Sequence, residues 1–293
     1  MRLLFVRHGD PDYEHDALTE KGRREAELLS RVIPEMGIRE VYISPLGRAR
    51  QTAEIGLQNV TVEKTTTVPW LMEFMTDLNL NQHPELRCAY GEDTPLLDGG
   101  KELSGFIGGH KSYYEMLHPG SVKAYLPDEQ GKVPTYAPRI IWDVLPSYAK
   151  DHPELYDCKE WLHSDLAIAG HLEECSEYVF DNFDAMLADH GYRRDGLIYD
   201  AVAPNRRTVA CFCHLGLECL LASHLMHVSP FTLWMHFAFV PSSVTEFITE
   251  ERQEGIAIFR ARRLGDISHL VQGHEEPSFA ARFCETFDGP ERH

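Results

Sequence analysis

The chain has 293 residues, 43% apolar and 25% charged, the make-up of a soluble globular protein with enough material for a sizeable core. Its 28 basic and 46 acidic residues leave a formal charge of −18, which argues against nucleic acid or an anionic membrane surface as a partner. There is no apolar run long enough to cross a bilayer. Met1-Arg2 leads directly into an apolar strand, so no cleaved leader and a cytoplasmic location are expected, with the seven Cys reduced.

Leu3-Leu4-Phe5-Val6 is short, continuously apolar and soon closed by Gly9, the pattern of a buried parallel strand. Arg7 and His8 follow at its carboxyl end, where open α/β sheets build ligand sites. A neutral imidazole can attack phosphorus, and a guanidinium can hold phosphoryl oxygens through paired hydrogen bonds. Asp10-Pro11-Asp12-Tyr13 reads as a turn beside that site, making Tyr13 a candidate substrate contact. A helix is predicted from about Thr19 to Glu35, with Thr19 as its N-cap. Val41-Tyr42-Ile43 reads as a second buried strand. Ser44 then suits an N-cap and Pro45 the first helical position. Arg48 would fall in or just after the first turn, where the helix's positive end adds to its charge.

Residues 75–159 show no clear period and hold eight of the seventeen prolines. Their aromatics, including Tyr90, Phe106, Tyr113, Tyr136 and Trp142, argue against disorder, so the segment reads as a cap over the site. A long helix is predicted over about 160–190, with Leu162, Leu166, Ala169, Leu172, Val179, Phe183 and Met186 or Leu187 on one stripe, broken by Gly191. Thr208–Cys213 is a further buried strand ending at His214. A helix through Leu225 and two strands near 243–249 and 255–260 follow. Two histidines and two arginines thus fall at or near strand ends that converge in a parallel sheet. Because the overall field repels anions, positive potential must be local, from Arg7, Arg48 and Arg206 or Arg207.

In this order, Arg7-His8-Gly9, Leu18-Thr19-Glu20-Lys21-Gly22, Ser44 to Ala53, Trp70-Leu71-Met72-Glu73, His214, Ser243-Val244-Thr245 and His269-Leu270 resemble the histidine phosphatase superfamily, the phosphoglycerate-mutase-like fold. The resemblance implies a three-layer α/β/α sandwich with a mostly parallel sheet. It also implies a phosphohistidine intermediate on His8, a phosphate pocket of Arg7, Arg48 and His214, and a carboxylic acid as proton donor. The acid phosphatase and phytase branch supplies that acid from an Asp directly after the second His, where this chain has Leu215. The mutase-like branch matches Glu73, which Trp70, Leu71, Met72 and Phe74 give an apolar setting. Asp77, Glu92 and Asp93 are fallbacks. The family usually has Gly at position 215, where a backbone N–H approaches phosphate, so Leu215 is the expected contact. Asp10 stands where a longer polar residue is common.

The expected organisation is one domain over 1–293: a core of 1–74 and 160–272, a cap of 75–159 and a tail of 273–293. The expected activity is metal-independent hydrolysis of a small anionic phosphorylated metabolite, with no cofactor. Phosphoglycerate-mutase-type transfer is the alternative enzyme, and a non-catalytic phospholigand-binding protein is the alternative of another class. Homo-oligomerisation is left open. Cys211-x-Cys213-His214 has no second Cys pair to complete a metal corner and reads as core plus a site histidine. Gly100-Lys101 and Gly131-Lys132 lack the earlier glycine of a P-loop.

Overall fold

The computed structural model describes residues 1–76, 78–91, 112–121, 136 and 139–278, together with the backbone of 285–286 and 289–292. The chain separates into two compact units, one of 1–73, 181–218 and 237–293, the other of 74–180 and 219–236.

The first unit is built on a sheet of β1 (Arg2–Arg7), β4 (Ile38–Ile43), β5 (Lys64–Thr67), β6 (Tyr192–Asp195), β7 (Ile198–Ala201), β8 (Thr208–Cys213), β9 (Val244–Gln253) and β10 (Ile256–Asp266). Pro11–Asp12 (β2) and Ala17–Leu18 (β3) form a separate small hairpin. The sheet order is β5-β4-β8-β1-β9-β10-β7-β6. The first four strands pair in parallel, and the remaining joins are antiparallel. Six of the eight therefore point one way, against β9 and β7. Of the parallel strands, β1, β4 and β8 are largely apolar because both of their faces are covered, whereas β5 at the sheet edge is polar and mostly exposed. On one face, α1 (Glu20–Met36) sets Leu29 and Ile33, and α2 (Gly47–Gly56) sets Ala53, against Leu4, Val6, Val41, Ala210 and Phe212. On the other face Phe5 meets Phe183 and Phe247 at 6.1 and 6.0 Å between ring centres. Phe183 belongs to α6 (Leu172–Asp189), so helices lie on both faces, and the expected fold class is observed.

Local signals account for the helix ends. Thr19 caps α1 by accepting from the Gly22 N–H at 3.0 Å, as predicted. The helix stops at Gly37, whose φ of 64° is one that glycine adopts without strain. The long helix expected over 160–190 is instead three pieces: a turn at Trp161–His163, a helix at Asp165–Ala169 and α6. Its stripe residues are nearly all buried as predicted. The break falls at Gly170-His171, where His171 takes φ 54°. A Cβ at Gly170 would stand 2.5 Å from Ile141 Cδ1, so close packing of the Ile141 segment overrides helical continuity there. Asp10–Tyr13 is likewise not a bare turn, since Pro11–Asp12 is one arm of the β2–β3 hairpin.

The second unit has short elements at Pro84–Ala89, Tyr113–Leu117 (α3) and Pro146–Asp151 (α4), in keeping with its prolines; Asp165–Ala169 is α5. Phe74 is its hub: its ring lies 5.5 Å from Tyr113 and 5.8 Å from Trp234, and its carbonyl accepts from Trp142 Nε1 at 3.3 Å. Trp234 is on α8 (Pro230–His236), which follows α7 (Leu215–Met226); Ser268–Gln272 is α9. Among the described residues, no helix is long and apolar enough to cross a membrane.

Phe5 is fully buried between the sheet and α6. Phe5→Ala should cost roughly 3–5 kcal/mol through lost transfer energy and an unfilled cavity. Urea unfolding followed by far-ultraviolet circular dichroism measures this, and an unchanged midpoint would refute the packing described.

Candidate active site

The site begins with strand register. β1 and β8 pair in parallel with Arg7 opposite Cys213, and the His8 N–H donates to the Cys213 carbonyl at 3.1 Å. The next residue on each strand is a histidine, so the rings of His8 and His214 come within 5.1 Å, centre to centre. Both are buried. Burial holds the His8 pKa well below the ordinary value, and the charges of Arg48 and Arg7 lower it further. The ring is therefore neutral near pH 7. Its Nδ1 lies 2.7 Å from the Gly9 carbonyl, which can only accept, so Nδ1 carries the proton. Nε2 is left with the lone pair a nucleophile needs.

Arg7 and Arg48 are nearly inaccessible, at 3% and 6% exposure. Arg7 donates from Nη1 to the Phe239 carbonyl, and Arg48 donates from Nη1 to Asp16 Oδ1 at 2.7 Å. The other Asp16 oxygen accepts from the Gly47 N–H at the start of α2. That approach needs glycine at 47, because a Cβ there would strike the Asp16 carbonyl oxygen. On both arginines the buried Nε–H has no acceptor among the described residues. A buried donor without an acceptor costs free energy unless something completes it. Tyr13 is about half exposed, and its ring lies 5.4 Å from the Arg48 guanidinium carbon. Thr52 ties β1 to α2: its hydroxyl accepts from the Gly9 N–H at 3.0 Å and donates to the Arg48 carbonyl at 2.8 Å.

Ser44 does not cap α2. The helix starts at Gly47 after Leu46, and the Ser44 hydroxyl lies 2.7 Å from His214 Nε2 while accepting from the Leu46 N–H at 3.2 Å. A side-chain partner across the sheet wins over the local cap. Leu215 is the first residue of α7 with its side chain buried, so only its backbone N–H could meet a substrate. Glu73 is half-buried and accepts from the Leu217 N–H at 3.1 Å, in the same first turn. Helix N-termini leave such donors open, so this one fixes the carboxyl group in place. Arg206 and Arg207 precede β8 and so stand at the opposite end of that strand from His214; Arg207 pairs with Glu63. They are thus not among the residues gathered at this end of the strand. The fallback acids Asp77, Glu92 and Asp93, and Phe106 of the insertion, lie outside the described residues.

Asp10 is also accounted for. Its carboxylate accepts from the Thr19 hydroxyl at 2.6 Å and from the Ser278 hydroxyl, so it serves the α1 cap. Burial raises the thiol pKa values of Cys211 and Cys213, which disfavours thiolate ligands and agrees with core packing.

Residues 3–102 match the family model of the histidine phosphatase superfamily (branch 1). That is the family read from the motifs. No curated protein matches the chain. Among solved structures, a mutant phosphoserine phosphatase from Entamoeba histolytica is similar at 14% identity and TM-score 0.45, covering 92% of this chain and 98% of its own. An alpha-ribazole phosphatase from Shigella flexneri is similar at 16% identity and TM-score 0.44, covering 91% and 97%. A mycobacterial glucosyl-3-phosphoglycerate phosphatase is similar at 17% identity and TM-score 0.46, covering 90% and 98%.

Two carboxylates of this candidate site escaped the sequence reading. Asp16 gave no signal, since the hairpin that delivers it to Arg48 is a tertiary event. Glu218 did leave one: it is the lone charge in the apolar run Leu215–Ala222. It is fully buried, and burial pushes its pKa up to about 8 against the lowering effects of Thr245 and Arg7. The unfolded chain releases this proton near 4.5, and the folded chain keeps it to about 8. Stability should therefore fall as pH rises through that window, by up to on the order of 4 kcal/mol. Glu218→Gln should remove this part of the decline, so its stability gain over wild type grows from pH 5 to pH 8 in parallel urea titrations. A difference that does not vary with pH would contradict the burial argument.

Proposed function

We propose that the protein is a phosphatase that cleaves phosphate monoesters of small metabolites through a phosphohistidine on His8, without a metal ion. The observation that carries this reading is the state of His8: buried, neutral and protonated on Nδ1, between two arginines that each keep a buried N–H without an acceptor among the described residues. A neutral nucleophile beside concentrated positive charge suits a dianionic phosphoryl group better than a carbonyl or glycosidic centre.

The steps follow. The lone pair of His8 Nε2 attacks phosphorus, and the bond from phosphorus to the ester oxygen breaks on the far side. Arg7 and Arg48 donate to the equatorial oxygens. His214, held by Ser44, stands on the same side as His8 to share that charge. Glu73, fixed by the Leu217 N–H, gives its proton to the leaving alkoxide. In the second half, water gives a proton to the Glu73 carboxylate as its oxygen bonds to phosphorus. The bond to His8 then breaks, releasing inorganic phosphate and neutral histidine. Asp16 on Arg48 tempers the local positive charge, so a phosphoryl group competes with it for that guanidinium.

His8→Ala should lose at least 1000-fold in turnover on a panel of phosphorylated metabolites with EDTA present, with an unchanged circular dichroism spectrum. Wild type quenched in alkali should retain an acid-labile phosphoryl group. Near-wild-type rates in His8→Ala would reject the mechanism, and transfer from a bisphosphate primer without release of phosphate would favour the mutase alternative.

Glu73→Gln should slow an alkyl phosphate by about 100-fold or more, because a poor leaving group needs its proton. An aryl phosphate should be affected much less in its burst phase. An untouched alkyl rate would place the acid elsewhere.

A further inference from the structure

Four residues beyond His214, in the first turn of α7, Glu218 has no solvent exposure, and neither carboxyl oxygen has a hydrogen bond of normal geometry among the described residues. The mechanism above does not use it. Its charged and titratable neighbours come from three other elements: Arg7 on β1, Cys213 on β8, and Glu73 after the turn at Pro69–Leu71. Thr245 faces it from β9. A fully buried carboxylate supported by little more than Thr245 is too costly to keep its charge, and the nearby Glu73 raises the cost further.

Arg7 supplies the reason for such a group. Its guanidinium is buried with one backbone acceptor, Phe239, and needs its charge undiminished to hold a phosphoryl group. An ionised carboxylate beside it would be the competing anion. We propose that Glu218 is a positioning residue for Arg7: a neutral carboxylic acid in the place of an ion-pair partner, which leaves the guanidinium's charge for the substrate. This rests on the phosphatase reading. It adds that the site loses its grip on phosphate when Glu218 ionises. Since burial pushes that ionisation to about 8, binding should weaken on the alkaline side.

The probe is inorganic phosphate, with its affinity for the intact chain measured by calorimetry from pH 7.5 to 9.5, where the ligand is mainly the dianion and its remaining ionisation works against a loss of affinity. Wild-type affinity should fall on the order of tenfold across this range, while that of Glu218→Gln does not fall. Glu218→Asp, which still titrates, should restore a decline. In kinetics the wild-type alkaline loss should appear in KM rather than kcat. Infrared difference spectra of wild type should show a protonated carboxyl band at pH 7 that is stronger than in Glu218→Gln, where Glu25 still contributes, and the excess should disappear by pH 9.5. That band needs no variant to fold, and its absence from wild type at pH 7 would overturn the proposal. A decline in Glu218→Gln parallel to wild type would overturn it while leaving the phosphatase reading intact. Failure of both proteins to bind phosphate at any pH would remove the phosphatase reading, and the proposal with it.

Discussion

The parallel pairing of β1 with β8, with Arg7 opposite Cys213, is the constraint on which the site depends. Backbone hydrogen bonds set that register, and the apolar residues of both strands enforce it. A slip by one residue would turn every side chain to the wrong face. Because the strands are parallel and end together, the residues that follow them, His8 and His214, leave the sheet side by side. β4 pairs with β8 on its other side and delivers Ser44 to His214, and α2 after it delivers Arg48. Each member is thus held by an element whose position is already determined by core packing. The functional side chains add little to that packing themselves.

Concentrating positive charge in a buried place has to be balanced in a chain with a net charge of −18. The three carboxyl groups around the site stand in different environments. Asp16 is paired with Arg48 and with a helix N-terminus. Glu73 accepts from the first turn of α7, with partial access to solvent. Glu218 is wholly enclosed, and burial raises its pKa. Similar functional groups therefore come to stand in an ion pair, at a helix end or in full enclosure according to the segments that surround them.

The misread features share a cause. Ser44 has the composition of a cap and Gly170 lies inside a helical stripe, yet a histidine 170 residues away claims the first and the Ile141 segment interrupts at the second. Local propensity amounts to a few tenths to one kcal/mol per residue, and a buried contact readily exceeds it. Thr19 shows the opposite case. Its partners, Gly22 and Asp10, are close in sequence, so its role could be read directly.

By itself the sequence determined the buried parallel strands, the cap of α1, and the presence of Arg7, His8, Arg48 and His214 at or next to strand ends. Continuous apolar runs and short-range turn chemistry carry that information within a few residues. Only the tertiary structure decided which nitrogen of His8 is free, which carboxylate meets Arg48, and that Glu218 is enclosed. Those outcomes depend on distances between segments far apart in the chain and on exclusion of water, and no local pattern of residue types encodes either.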